Sequence, residues 1–212
     1  MKNSGMPSSV NEPLSSAQNP RIKHLLALQQ KSQERRREGL FVVEGRRELE
    51  HCLEAGYEVE SIVVSEELRV KSEEFATAAG IPEGNSSLFT LHSSLFTFHS
   101  SLFTFHSSLT WVTPKLYERI AYRGSTEGVM AIVRAKSHRL ADLRLPDNPL
   151  IVVLESVEKP GNLGAVLRSA DAAKADAVVV CDPLTDLYNP NLIRSSIGAI
   201  FTVPTVACTS EE

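Results

Sequence analysis

Two runs, "LIVVLES" (Leu150 to Ser156) and "DAVVVCD" (Asp176 to Asp182), are apolar and β-branched at consecutive positions instead of alternating positions. A strand that is apolar on both faces cannot lie on a half-solvated sheet; it belongs in a parallel sheet covered by helices. Parallel neighbours need a crossover, and the Ala-rich "LGAVLRSADAAKA" between the two runs is helical material. A further predicted helix, "NPNLIRSSIGA", and strand, "FTVPTVAC", continue the alternation. The N-terminal half alternates too. A helix starts at Asn19-Pro20, carries a stripe of Ile22, Leu25, Leu26 and Leu28, and stops at Gly39. Then come strand "LFVVEG", helix "RRELEHCLEAG" closed by Gly56, strand "VESIVVS" and helix "EELRVKSEEFATAAG". "TPKLYERIA" is predicted helical and "GVMAIVR" a strand. The pattern predicts an α/β protein of two domains. A polar, disordered tail occupies 1–17 and a small α/β domain 18–135. A polar linker with Pro146 and Pro149 covers 136–149, and a parallel-sheet domain runs over 150–212.

At 42% hydrophobic and 23% charged residues, the composition is that of an ordinary soluble domain, with no membrane span and no apolar leader at the N-terminus. Cys52, Cys181 and Cys208 are scattered and odd in number, which argues for a reducing cytoplasm and against disulfides or a zinc site. The net charge of −4 hides an uneven distribution. Arg21, Lys23, Lys31, Arg35, Arg36, Arg37, Arg46 and Arg47 crowd one segment, compatible either with a phosphate-backbone partner or with a solvated helix face.

One block fits neither domain. From Ser86 to Leu109 the chain repeats "SSLFTLH", "SSLFTFH", "SSLFTFH" and "SSL" without a single charge. His92, His99 and His106 recur at a spacing that returns to one helix face, yet the serine-rich background is poor helix material, and no metal site is expected. The block, 85–109, is expected to be a low-complexity insertion and an aggregation hazard.

The loop and helix after the first parallel strand carry the chemistry. Asn162 and Gly164 at a strand-to-helix turn let backbone N–H groups approach a phosphate or ribose, or else make only a tight turn. Arg168 follows on the helix, as a ligand contact or as a surface salt bridge. Neither a dinucleotide fingerprint nor a P-loop is present.

"Asn162-Leu163-Gly164-Ala165", with Arg168 and Ala170, resembles the first motif of the SpoU/TrmH family of RNA ribose 2′-O-methyltransferases, in the SPOUT superfamily. "NPNLIRSSIGAIFTVP" is similar to the segment that follows it. The stretch from Ser15 to Gly56, and "YERIAYRGSTEGVMAIV", are similar to the family's substrate-binding domain, itself like small RNA-binding ribosomal proteins. The resemblance implies a ribosomal-protein-like α/β domain followed by an incomplete SPOUT (α/β-knot) domain. It implies S-adenosylmethionine as methyl donor, ribosomal or transfer RNA as substrate, a cytoplasmic homodimer, and catalytic roles for Arg168 and Asn162. Arg35, Arg36, Arg37, Arg46, Arg194 and Ser196 become candidate RNA contacts, Ser196 or Arg194 alternatively meeting the dimer partner; Glu155 and Gly164 are candidate cofactor neighbours. Ser195 is either part of that site or a plain helix-surface residue.

The family pattern continues with a Gly-x-Glu-x-x-Gly strand and a Ser-Leu-Asn segment that build most of the cofactor pocket. Neither occurs in these residues. The expectation is therefore a truncated methyltransferase, inactive or impaired as it stands, with a non-catalytic RNA-binding protein as alternative and a generic nucleotide-binding domain third.

Overall fold

The computed structural model describes residues 12–68, 108–122 and 127–212. Helix α1 (Pro20–Gln30) begins where its cap predicts, with the Asn19 side chain accepting from the Arg21 amide at 3.0 Å. The single helix expected to reach Gly39 is broken at Lys31, which is extended at φ −117° and ψ 111°. It resumes as α2 (Ser32–Glu38), which Gly39 closes in the left-handed conformation.

The first unit continues through β1 (Leu40–Glu44), α3 (Arg46–Glu54), β2 (Val59–Ser65), β3 (Ser108–Val112), α4 (Pro114–Ile120) and β4 (Val129–Arg134). Its strands lie in the order β1-β4-β2-β3; β2 and β3 are parallel and the other pairs antiparallel. Strand β3 was hidden in the sequence by the repeat: Ser108 and Leu109 are its last residues and pair with Ser61 and Ile62. The repeat is thus not wholly an insertion, although 86–107, with the three histidines, lies outside the described residues. So does the helix expected after β2, from residue 69 onward, and the tail up to residue 11. Part of the expected loose tail is held, since Leu14 bridges to Val112 and its amide donates to the Trp111 carbonyl at 2.8 Å.

Strand alternation sorts this sheet into two apolar faces. Val42, Val63, Met130 and Ile132 meet Ile22, Leu25 and Leu28 of α1 and Leu116, Tyr117 and Ile120 of α4. Phe41, Val43, Ile62, Val64, Ala131 and Val133 face the opposite way, toward α3 and the second unit.

That unit holds β5 (Ile151–Glu155), α5 (Pro160–Ala172), β6 (Ala177–Cys181), α6 (Pro190–Ser195), α7 (Ala199–Thr202) and β7 (Thr205–Cys208). The three strands form the expected parallel sheet, in the order β5-β6-β7. Helix α5 starts at Pro160, earlier than predicted, so Asn162 and Gly164 sit inside its first turns. The expected helix over 189–199 splits at Ile197 and Gly198, both at positive φ (55° and 80°), and Phe201 and Thr202 belong to α7, not to a strand. Among the described residues β5 has a neighbour on one side only, and it is apolar at its open edge, with Val153 63% exposed and Leu150 51%.

The two sheets share one core. Phe41 of β1 stacks on Tyr188 at 4.1 Å between ring centroids and lies 6.0 Å from Phe201, while Leu163, Leu167 and Leu192 close the same cluster. Gly198 packs against His51 of α3 so closely that an added Cβ would meet the imidazole at 2.8 Å. The expected linker is fastened as well, including a short 3₁₀ turn over Leu140–Asp142. His138 Nδ1 lies 2.6 Å from the Thr205 carbonyl and must carry the proton there, since a carbonyl only accepts. Its Nε2 then accepts from the Tyr188 hydroxyl at 2.7 Å, and that hydroxyl accepts from the Lys136 amide, also at 2.7 Å.

Burial lowers the His138 pKa, with the Thr205 carbonyl opposing and the Lys136 charge reinforcing the shift. A depressed histidine leaves stability intact above its unfolded value, about 6.5. Below that value the unfolded chain takes up a proton that the fold refuses. The urea midpoint should therefore fall between pH 7.5 and 5.5, and His138→Gln should flatten that fall. An equal slope in both proteins would remove His138 from the account.

Candidate functional site

Helix α5 places Arg168 outward. Leu163, Gly164, Leu167 and Ala170 form its buried side, leaving Asn162, Ala165, Arg168 and Ser169 exposed. Arg168 makes no ion pair among the described residues, so the salt-bridge alternative is not what holds it. Its guanidinium instead donates to the backbone carbonyl of Ser195 at the end of α6. That anchor exists because α5 and α6 approach closely at Gly164. An added Cβ there would run into the Ser195 hydroxyl and come within 2.8 Å of its carbonyl carbon. The reason for glycine at 164 is thus helix contact, not a phosphate loop. The Ser195 hydroxyl donates back to the Pro160 carbonyl at 3.3 Å, closing the junction from the other side.

Asn162 is exposed, and its amide donates to the Lys159 carbonyl at 3.0 Å as an ordinary first-turn bond. At about 100° per residue its direction on the helix differs from that of Arg168 by roughly 120°, so the helix itself does not bring the two side chains together. Glu155 stands exposed at the carboxyl end of β5. It accepts from the Ser210 hydroxyl at 3.4 Å, and that hydroxyl also donates to Asp182 at the end of β6. Glu155 and Asp182 therefore mark the end of the sheet at which open α/β folds hold ligands. Asp182 was not foreseen, although an acid closing a buried strand is a legible signal.

Two expected RNA contacts are buried. Ser196 is 1% exposed; its hydroxyl donates to the Ile193 carbonyl at 2.9 Å and accepts from the Ile200 amide at 3.4 Å, bridging α6 and α7. Arg35 is 5% exposed. Its Nε reaches Asp186 at 2.6 Å, and its terminal nitrogen donates to the Leu28 and Gln29 carbonyls at 2.7 and 3.1 Å. It thereby satisfies the unpaired last turn of α1 and ties that turn to the loop before α6. Neither side chain is presented to a partner. Asp186, Tyr188 and His138 gave no sequence signal as interdomain residues, because only the fold brings them to the first sheet.

The remaining cations are accessible. Arg36 is exposed and, among the described residues, hydrogen-bonds Ser32 alone, at 3.4 Å, whereas Arg37 pairs with Glu34 and, at 2.8 Å, with Glu38. Arg46 pairs with Glu50 at 3.0 Å. Arg194 is half-buried and lines a cavity of about 170 Å³ between the two units, together with Glu44, Glu48, Tyr122 and Glu127. Burial pushes the Glu44 carboxyl above its usual range, against the Tyr122 amide and the Arg194 charge. Arg194 thus faces carboxylates as well as the surface.

Residues 19–131 match the family profile of the MRM3-like substrate binding domain, and residues 149–212 that of the SpoU rRNA Methylase family. The chain belongs to the SpoU rRNA methylase family. This SpoU-family chain is 27% identical over 193 residues to 23S rRNA (guanosine(2553)-2′-O)-methyltransferase RlmP of Bacillus subtilis (strain 168), a match covering 91% of the chain and 64% of that relative. A crystal structure of an RNA 2′-O ribose methyltransferase is 32% identical and superposes with a TM-score of 0.69, covering 94% of this chain and 67% of that one. The SpoU methyltransferase AviRb from Streptomyces viridochromogenes, solved in complex with the cofactor AdoMet, superposes with a TM-score of 0.67 at 25% identity. It is covered to 63% by 91% of this chain. The chain therefore spans about two thirds of the length of its relatives. No helix among the described residues is long and apolar enough to cross a membrane.

Proposed function

We propose that this chain serves S-adenosylmethionine-dependent methylation of ribosomal RNA at a ribose 2′-hydroxyl, with Arg168 at the RNA. The observation that carries the reading is the outward guanidinium of Arg168, on the helix that crosses between the parallel strands β5 and β6, where the Ser195 carbonyl holds it. An arginine is a poor general base, because its guanidinium holds its proton far above neutral pH. Its planar fork instead suits clamping an RNA phosphate and orienting the neighbouring hydroxyl. S-adenosylmethionine supplies the methyl group when bound. Glu155 and Asp182 are the side chains at the ligand end of the sheet that would neighbour it, and Asn162 lines the same helix. Arg36, Arg37 and Arg46 extend a positive surface for the RNA, with Arg194 at its inner border. A homodimer working in the cytoplasm completes the proposal.

A second reading, RNA binding without transfer, rests on the exposed cations Arg36, Arg37 and Arg46, whose contacts with RNA need neither the Gly-x-Glu-x-x-Gly nor the Ser-Leu-Asn motif. One set of measurements separates the two. Residues 1–212 should bind ribosomal RNA in a filter assay, and Arg36→Glu with Arg37→Glu should weaken binding. The salt dependence should flatten by roughly 0.9 of a log–log slope unit for each lost duplex contact, or 0.7 for a single strand. The same polypeptide should hold S-adenosylmethionine weakly in calorimetry. Joined to a segment bearing both motifs, it should label the 2′-hydroxyl from methyl-labelled cofactor. Arg168→Ala should abolish that label while sparing cofactor affinity, and Arg168→Lys should do little better, since a point charge lacks the fork. Labelling that survives Arg168→Ala would sink the catalytic assignment. RNA binding without any labelling would favour the second reading.

A further inference from the structure

Scattered in the sequence, Cys181 and Cys208 become neighbours in the fold. They are registered partners at the carboxyl ends of the parallel strands β6 and β7, and their sulfurs lie 3.9 Å apart. Registered residues share a face of the sheet, and adjacent strands run about 4.8 Å apart. That spacing falls within the Cα separation of roughly 4.4–6.8 Å that a disulfide tolerates. We propose that Cys181 and Cys208 are a redox pair that closes to an intramolecular disulfide across the ligand end of the second sheet.

Closure needs the sulfurs to approach to about 2.04 Å, and side-chain rotation with a small shift of β7 can supply it. Strand β7 is short and is the outer strand of the described sheet. Its far side is held by His138, whose carbonyl accepts from the Ala207 amide at 3.0 Å and whose Nδ1 donates to the Thr205 carbonyl, so the approach comes mainly from side-chain rotation. Both thiols are half-buried and therefore reachable by a small oxidant. Cys52 offers the contrast: it is fully buried, and burial pushes its thiol far up, so it stays inert. Burial, and then the hydrogen bond to Cys181, raises the Cys208 thiol. Either thiol can open the exchange; with Cys181 acting first, Cys208 is the resolving one.

The co-reactant is a low-molecular-weight disulfide such as glutathione disulfide. The Cys181 thiolate attacks one of its sulfurs, forming a mixed disulfide and expelling one glutathione thiolate. Cys208, losing its proton to solvent, attacks the Cys181 sulfur and expels the second. Two electrons pass from the protein thiols to glutathione disulfide, which leaves as two glutathione molecules, and the two protons end on them. The place of the bond matters. Glu155 is the registered neighbour of Cys181 in the same row, and Ser210, just beyond Cys208, hydrogen-bonds Asp182 and Glu155. Drawing β7 toward β6 re-aims Ser210 and alters the acidic end of the sheet.

The test equilibrates the 212-residue protein in glutathione buffers of rising oxidised fraction, quenches with acid, alkylates and reads intact mass. The expected result is two fewer alkyl labels on the chain as the buffer becomes oxidising, full recovery on reduction, and a tryptic pair, 175–194 linked to 195–212. Cys208→Ser should abolish the linked pair and leave Cys181 open to alkylation or to stable glutathionylation. Should that variant not fold, the linked peptides of the unmutated protein decide alone. Intermolecular dimers, links through Cys52, or glutathione adducts on both cysteines without closure would overturn the proposal.

Discussion

Replacing Arg35 by methionine should cost about 3–5 kcal/mol of stability, because it strands one buried charge and two carbonyls at once. The Asp186 carboxylate, whose side chain is 13% exposed, would lose its partner at 2.6 Å. The Leu28 and Gln29 carbonyls would lose their donor where α1 ends. Urea unfolding at pH 7 measures the loss. Arg35→Met with Asp186→Leu should recover part of it, since removing both charges is far cheaper than removing one. Recovery would be incomplete, because Asp186 also accepts from the Tyr188 amide at 2.9 Å. Arg36→Met, one position along on the solvent side, should change stability by no more than about 0.5 kcal/mol. If Arg35→Met were as mild as Arg36→Met, the tie between the two units would not be where the structure puts it.

Gly164→Ala should be destabilising by about 1–3 kcal/mol, the ordinary cost of forcing extra volume into a packed contact. The usual helix preference for alanine over glycine, about 1 kcal/mol, acts in the opposite direction and is outweighed, because the added carbon meets backbone as well as a hydroxyl. Gly161→Ala is the matched control. It lies in the same helix with nothing within 4 Å of the added carbon, so it should be neutral or slightly stabilising. Thermal unfolding of both variants checks the pair. Because α5 and α6 must part for the larger side chain, the Ser195 carbonyl should also release Arg168. RNA-dependent activity in the motif-complete protein should then fall further than the stability loss alone explains. Equal behaviour of the two variants would show that the helices have room to spare.

The parallel sheet was legible because double-sided apolar runs leave few alternatives, and α1 was legible because a cap and a proline act locally. Strand β3 was not: its first residues belong to a repeat whose composition suggested an insertion, and its pairing with β2 is non-local. The start of α5 was misjudged by reading Asn162 and Gly164 as loop residues, although Pro160 offered a good first helical position. Arg35 shows a harder limit. In the sequence it is one of three consecutive arginines, and nothing distinguishes it from Arg36 or Arg37. The helix turns one of them inward, and an acid far along the chain decides its role. The cysteine pair was lost for the same reason, since spacing in sequence says little about strands that end side by side.

The core common to both sheets bears on how such proteins can be recombined. A chimera cut in the 136–149 stretch, where composition suggests a seam, would separate Phe41 from Tyr188 and Phe201, Gly198 from His51, and Arg35 from Asp186. A graft of one relative's recognition unit onto another's catalytic unit must therefore carry the facing halves of these contacts with it. The transplantable cassette is not the N-terminal stretch alone, but that stretch together with the loop and helices of the second unit that seal its inner face.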